Sequence, residues 1–89
     1  MSASLKPSQK HSSLPCKVRS AADVGNIVRS QRQEMGLRQL DVAGLGNTGN
    51  RLIVDIEKGK PTVQLQKVLD LLDLLGLELI VTQKSARFP

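Results

Sequence analysis

The side chains most often used in catalysis are scarce in this sequence and stand apart from one another. His11 is the only imidazole and Cys16 the only thiol. Nucleophilic catalysis needs a nucleophile beside a base, both held on folded elements, and a structural zinc site needs about four ligands. The sequence therefore predicts no enzyme, no metal site and no cofactor.

Residues 44–49 match the Gly-x-Gly-x-x-Gly fingerprint of dinucleotide-binding proteins. That fingerprint binds a pyrophosphate only where it follows a buried strand and opens a long helix. The preceding residues 38–43 have a polar, helical pattern, and the sequence offers no parallel sheet. We therefore expect the match to be accidental.

Basic side chains outnumber acidic ones, which indicates a different chemistry. Lys and Arg number 13 against 8 Asp and Glu, giving a formal net charge of +5. Residues 1–20 contain four bases and no acid, so most of the excess lies near the N-terminus. Such an excess favours a polyanionic partner. Because Phe88 is the only aromatic residue, sheets that stack nucleic-acid bases on aromatic side chains are excluded.

The chain length fits one small domain flanked by loose ends. Residues 1–19 are rich in Ser, Lys and Pro, which predicts a disordered basic N-terminal tail, and residues 83–89 are expected to form a flexible C-terminal tail. A single cysteine suits a reducing compartment, and no apolar run approaches the roughly 18 residues of a membrane span. We therefore expect a cytoplasmic protein without a membrane partner.

Apolar spacing and capping residues predict four helices. They are residues 21–35, 38–45, 50–58 and 65–76. Ser20 and Asp23 have the spacing of a capping box at the start of the first helix, and Gly36 fits the left-handed position after its end. Either Thr62 or Gln64 caps the fourth helix. The third helix is too short to be stable alone, so it must pack against the first two.

Residues 77–82 alternate in a pattern that predicts a β-strand. No other strand is evident in the sequence, so we expect this strand to pair with a second molecule. The fourth helix is apolar on two flanks, which also favours a homodimer. The predicted dimerisation residues are Leu71, Leu74, Leu77, Leu79 and Val81. The spacing leaves open an alternative in which the fourth helix continues past Gly76.

Residues 37–59 are predicted to form a helix, a tight turn and a second helix, and they resemble the helix-turn-helix of the Xre and Cro/C1 repressor family. The resemblance is carried by Gly36, Leu37, Gln39, Ala43, Gly46, Ile53, Ile56, Glu57, Lys58 and Gly59. It implies a mainly α-helical domain of four to five helices over residues 20–76, with the C-terminal strand pairing across the homodimer. It also implies a structural ion pair between Arg32 and Glu57.

In such a domain the third helix presents its exposed face to the DNA major groove, which is about 12 Å wide. Asn50 could pair with adenine and Arg51 with guanine. Asp55 either accepts a hydrogen bond from cytosine or orients Arg51. The resemblance places Gln39 on a phosphate, where it could also brace the third helix. The other DNA-binding candidates are Thr48 in the turn, Val54 for a thymine methyl group, and Arg38, Lys58 and Lys60 for phosphates.

Four residues depart from the family pattern: besides Arg38 and Asn47, Gly49 stands where Ser commonly caps the third helix, and Val54 is apolar at a position that is often polar. Arg38 occupies the N-cap of the second helix, where Ser, Thr or Asn is usual, and this costs about 1 kcal/mol unless its charge is used on DNA. Asn47 replaces a turn glycine, but asparagine tolerates the left-handed backbone required there. We therefore expect function to outweigh capping propensity at Arg38.

Residues 57–64, 67–69 and 75–79 resemble the HipB-type antitoxins, a branch of the Xre family. This resemblance implies a homodimer that represses its own operon, binds a HipA-type serine/threonine kinase toxin, and is associated with the bacterial nucleoid. Two alternatives remain. One is a free-standing Xre-type regulator or prophage repressor without a toxin, and the other is a protein-binding inhibitor that does not use DNA.

Overall fold

The computed structural model describes residues 14–84, and helices account for more than half of this range. They are α1 (Ala21–Glu34), α2 (Gln39–Leu45), α3 (Asn50–Lys58) and α4 (Leu65–Leu74). The four expected helices are therefore present, with ends that differ from the prediction by at most two residues. Residues 1–13 of the predicted N-terminal tail and residues 85–89 of the predicted C-terminal tail lie outside the described residues.

The first helix begins as its sequence predicts, except for one hydrogen bond. Ser20 is extended, and its hydroxyl oxygen accepts from the Asp23 amide at 3.2 Å. The Asp23 carboxylate accepts from the Arg19 amide at 2.8 Å, and not from Ser20 as a capping box requires. The two bonds together fix how the chain enters α1. At the other end Gly36 has a φ of +73°, a left-handed conformation that glycine adopts without strain.

Asp41 stabilises the start of α2, a role that the sequence analysis did not assign. Its carboxylate accepts from the Arg38 amide at 2.8 Å and from the Arg38 guanidinium at 3.0 Å. The expected loss from an arginine N-cap is therefore compensated within the protein, and DNA is not required for it. The turn that follows contains Asn47 with a φ of +53°, so the expected left-handed asparagine is present.

All four helices contribute side chains to one core. Its buried members are Val28, Val42, Ala43, Ile53, Ile56, Leu71, Leu72 and Leu75. Among residues 14–84 no polar or charged residue is fully buried. The back of α3 supplies Ile53 and Ile56, both at most 3% exposed. This short helix is therefore stabilised by tertiary packing, as its length requires.

The helices α1 and α3 meet through their backbones. A Cβ atom on Gly25 of α1 would lie 2.5 Å from the carbonyl oxygen of Ile56 and 2.7 Å from that of Glu57. Gly59 ends α3 with a φ of +81°, and a Cβ atom there would lie 2.7 Å from the Cα atom of Ala22. Two glycines therefore permit the close approach that seats α3 on α1.

The fourth helix ends at Leu74, so the alternative in which it continues past Gly76 is wrong. Gly76 has a φ of +78°, and the Leu77 amide donates to the Leu72 carbonyl at 2.8 Å, which is a common glycine-dependent helix ending. At the start of α4 the N-cap residue is Gln64 and not Thr62, and its side chain forms no capping hydrogen bond. Residues 77–84 form neither a helix nor a strand. Pairing of residues 77–82 with a second molecule thus remains a prediction.

The structure divides the predicted dimerisation residues into two groups. Leu71 is 5% exposed and belongs to the core, because this flank of α4 faces the other helices. Its predicted role in the dimer contact is therefore wrong. Leu77 is half-buried against the same core. Leu74, Leu79 and Val81 are exposed, Val81 by 90%.

Within residues 14–84 no helix combines the length and apolar character needed to span a bilayer.

Replacing Gly25 by alanine is expected to destabilise the protein by about 1–3 kcal/mol, because its methyl group would push against the carbonyl groups of α3. Urea unfolding of the full chain measures the loss. The matched control is Gly44→Ala, since Gly44 also lies in a helix but an added methyl group there would have no atom within 4 Å. The control should gain up to about 1 kcal/mol from helix propensity. Equal stabilities of the two variants would contradict the close approach.

Candidate nucleic-acid interface

The exposed face of α3 is opposite in character to its buried back. Arg51, in the first turn, has a side chain that is 84% exposed, whereas Ile53 is 1% exposed. Lys58 in the last turn is exposed, and it forms no ion pair among residues 14–84. The helix therefore has a fixed apolar back and a polar face that is open to a partner.

The Glu57 carboxylate connects α3 to both preceding helices. It accepts from Arg32 of α1 through Nε at 2.5 Å and Nη2 at 3.0 Å, which is the ion pair that the resemblance implies. The side chains of Arg32 and Glu57 are only 11% and 4% exposed. The hydrogen bond to Glu57 is the main cause of the raised pKa of Arg32. The Arg32 Nη1 also donates to the Leu37 carbonyl at 2.8 Å, just before α2.

Gln39, the first residue of α2, completes this network. Its Nε2 donates to Glu57 Oε1 at 3.1 Å. Because a carboxylate accepts only, this bond fixes the amide with its nitrogen toward α3. The expected bracing contact to α3 is therefore present, and the second N–H of the amide is the group left to donate elsewhere. Contact of Gln39 with a phosphate stays a prediction.

Asp55 holds Arg51 in place one turn along α3. Its Oδ1 accepts from Arg51 Nε at 3.1 Å, which favours the orienting role over direct reading of cytosine. The other oxygen, Oδ2, lies 3.7 Å from Lys60 Nζ, and the Lys60 amide donates to the Asp55 carbonyl at 3.0 Å. Asp55 is thus shared between two cations, and the terminal nitrogens of Arg51 form no hydrogen bond among residues 14–84.

Asn50 is the first residue of α3, and its pairing with adenine stays a prediction. The residue is half-buried, and its Oδ1 is buried without a hydrogen-bond partner in the described part of the chain. A bidentate pair with adenine needs both Oδ1 and Nδ2 at the surface. Asn50 must therefore rotate before it can read adenine in that way. An unpartnered buried acceptor costs about 1–3 kcal/mol, so this rotation also relieves an unfavourable state.

The remaining candidates vary in exposure. Thr48 and Val54 are half-buried, and the Thr48 amide donates to the Ala43 carbonyl at 2.9 Å. Arg38 has a side chain that is 77% exposed, and it is paired with Asp41. The side-chain hydrogen bond from Arg38 is the main reason that the pKa of Asp41 is lowered. The same bond raises the pKa of Arg38.

Two features of the site were missed by the sequence analysis. Asp41 could have been found, because an acid three residues after an N-cap commonly accepts the N-cap amide. Gly25 carried no local signal, since its role depends on which backbone lies against α1.

Cys16 is exposed and free. Within residues 14–84 no group of three or more His, Cys, Asp or Glu side chains could hold a metal ion.

The chain matches no protein-family model. It is 42% identical over 71 residues to an uncharacterized HTH-type transcriptional regulator, y4mF, of Sinorhizobium fredii (strain NBRC 101917 / NGR234). The matched region covers 80% of this chain and 93% of that protein. The chain belongs to the HTH-type transcriptional regulators. As an HTH-type regulator it has the expected helical architecture, with α2 and α3 as the two helices on either side of the tight turn.

Replacing Glu57 by glutamine is expected to lower the free energy of unfolding by about 3 kcal/mol, because the largely buried Arg32 cation loses its counterion. Chemical denaturation of the full-length protein measures this change. Glu78→Gln is the control, since Glu78 is exposed and lies outside the helices, and it should change stability by less than about 0.5 kcal/mol. A Glu57 variant as stable as this control would show that Arg32 does not depend on the carboxylate.

Proposed function

We propose that this HTH-type regulator is a sequence-specific repressor that inserts α3 into the major groove of operator DNA. The observation that carries the proposal is the pairing of Arg51 Nε with Asp55 on an otherwise exposed side chain. A guanidinium held through Nε keeps both terminal nitrogens available. Guanine presents two acceptors, O6 and N7, at the spacing that two such donors match.

Arg51 therefore reads guanine, and Asp55 sets its direction. The carboxylate is 17% exposed and shared with Lys60, so it is held more firmly than a free surface acid. Pre-orienting a long side chain reduces the entropy lost on binding. Asn50 reads adenine once its amide has rotated outward, and Val54 contacts a thymine methyl group.

Cations and amides around α3 bind the phosphates that flank this readout. Lys58 and Lys60 neutralise phosphates at the end of α3, and Arg38 does so at the start of α2. Gln39 uses its second N–H for the same purpose, and Thr48 contributes from the turn. The net charge of +5 supports association with DNA over longer distances.

The repressor acts as a homodimer. Its described core is small, and α4 and residues 77–84 leave Leu74, Leu79 and Val81 exposed beside the half-buried Leu77. Pairing of residues 77–82 between two copies would cover these side chains. Two α3 helices would then enter successive major grooves about 34–36 Å apart on a roughly palindromic operator.

We further propose that the protein is an antitoxin that binds a HipA-type kinase toxin and represses the operon encoding both. Support comes from the resemblance of residues 57–64, 67–69 and 75–79 to HipB-type antitoxins. The competing function is that of a free-standing regulator without a toxin. No specific observation on the structure favours a protein-binding inhibitor that does not use DNA.

Replacing Arg51 by alanine is expected to weaken binding to the protein's own upstream DNA at least tenfold, corresponding to about 1–3 kcal/mol for one lost guanine pair. Gel-shift titration at two salt concentrations measures it. Binding to unrelated DNA should change much less. Lys58→Gln should instead weaken binding to all sequences alike and reduce the salt slope by about 1.

Arg29→Ala is the matched control for both variants, because Arg29 is an exposed arginine on α1. It should bind operator DNA as the unaltered protein does. If Arg51→Ala retained full affinity and specificity, α3 would not be the recognition helix.

The antitoxin function is tested with the tagged protein expressed from its own operon. We expect a neighbouring kinase to copurify with it, and we expect the tagged protein to elute as a dimer when it is free of the kinase. Absence of any kinase from both the operon and the purified complex would leave the free-standing regulator as the function.

A further inference from the structure

A groove lies between the start of α1, the end of α3 and the start of α4. It is open to solvent and has a volume of about 470 Å³, and its walls include Val24, Ile56 and Val68. This volume falls within the range of about 300–1,000 Å³ that is usual for small-molecule sites. The groove is therefore large enough for a ligand of moderate size.

The chemistry of the rim limits what that ligand can be. Leu65, which is 65% exposed, extends the apolar wall to the surface. Arg19 and Lys60 also line the groove, whereas none of the acidic residues in the described range 14–84 does. The Arg19 guanidinium has no ion pair within residues 14–84. The groove thus combines apolar walls with two cationic residues. These features favour a ligand that is mostly apolar and carries one negative charge.

We propose that this groove binds a small amphipathic carboxylate, with its charged group at Lys60 and Arg19 and its hydrocarbon part against Val24 and Val68. Neither the name of the Sinorhizobium fredii relative nor the proposed repressor function assigns a ligand to this groove. Burial of the hydrocarbon supplies the affinity, and the two cations supply the selectivity for an acid over an alcohol or an amine.

Lys60 connects the groove to the recognition helix. Its ammonium group lies 3.7 Å from Asp55, whose other oxygen holds Arg51 at 3.1 Å. A bound carboxylate competes with Asp55 for Lys60, so Asp55 loses one of the two cations that hold it and orients Arg51 less firmly. It also adds a negative charge beside a residue that we propose binds phosphate. Ligand binding and DNA binding therefore oppose each other, a coupling that rests on the proposed function and is reciprocal.

The groove is tested first without DNA, by methyl NMR of the full-length protein titrated with octanoate, 1-octanol and octylammonium. Octanoate is expected to shift the methyl signals of Val24, Val63 and Val68, and to bind at least tenfold more tightly than octylammonium. Octanol should bind with intermediate affinity. Equal binding of all three probes, or no shift with millimolar octanoate, would overturn the proposal.

Two variants assign the charged end of the site. Lys60→Gln and Arg19→Gln should each weaken octanoate binding several-fold while leaving octanol binding unchanged. Lys67→Gln is the control, because Lys67 is exposed on α4 and does not line the groove. An unchanged octanoate affinity in both variants would overturn the role of the cations. Shifts of the same methyl signals with protein concentration alone would assign the groove to a second copy of the chain instead.

The coupling is measured separately, by titrating operator DNA with and without saturating octanoate. The affinity for DNA is expected to fall several-fold in octanoate and to be unaffected by octanol. If the protein binds octanoate but no operator, the groove stands and the proposed function fails. If it binds both without mutual effect, the link through Lys60 is wrong.

Discussion

The Glu57 carboxylate receives hydrogen bonds from side chains on two other helices, and the orientation of α3 depends on it. Arg32 reaches it from α1 through two nitrogens, and Gln39 reaches it from α2 through its amide. A carboxylate and a guanidinium that are almost completely covered lose much of their hydration, so the pair adds less stability than its geometry suggests. The pair instead fixes the orientation of α3. If α3 rotated, a buried charged group would be separated from its partner without gaining contact with water.

This constraint explains how a nine-residue helix can serve as the binding element that we propose. Such a helix would unfold in water by itself. Here Ile53 and Ile56 pack its back against the core, and Glu57 bonds its last turn to the other helices. The exposed face can then carry polar side chains chosen for a partner, since packing makes no demand on them. Arg51 and Asp55 use this freedom by pairing with each other along the surface.

Local signals in the sequence were sufficient for the helices and for part of the site. Gly49, Gly59 and Pro61 delimit α3, whose bounds agree with the prediction, and the spacing of four between Arg51 and Asp55 indicated their contact. Long-range features were not accessible in this way. Apolar periodicity showed that α4 has two apolar flanks, but not that Leu71 faces the core. The burial of the Asn50 side-chain oxygen depends on neighbouring elements, which a linear pattern does not identify.

The backbone contact at Gly25 and Gly59 has a consequence for how such a protein can diversify. Because the distance between α1 and α3 is set by main-chain atoms, it does not change when the surface of α3 is altered. Substitutions at outward positions can therefore redirect the protein to a new target while its scaffold stays the same. The two glycines, in contrast, cannot vary without moving the whole surface that we propose contacts DNA.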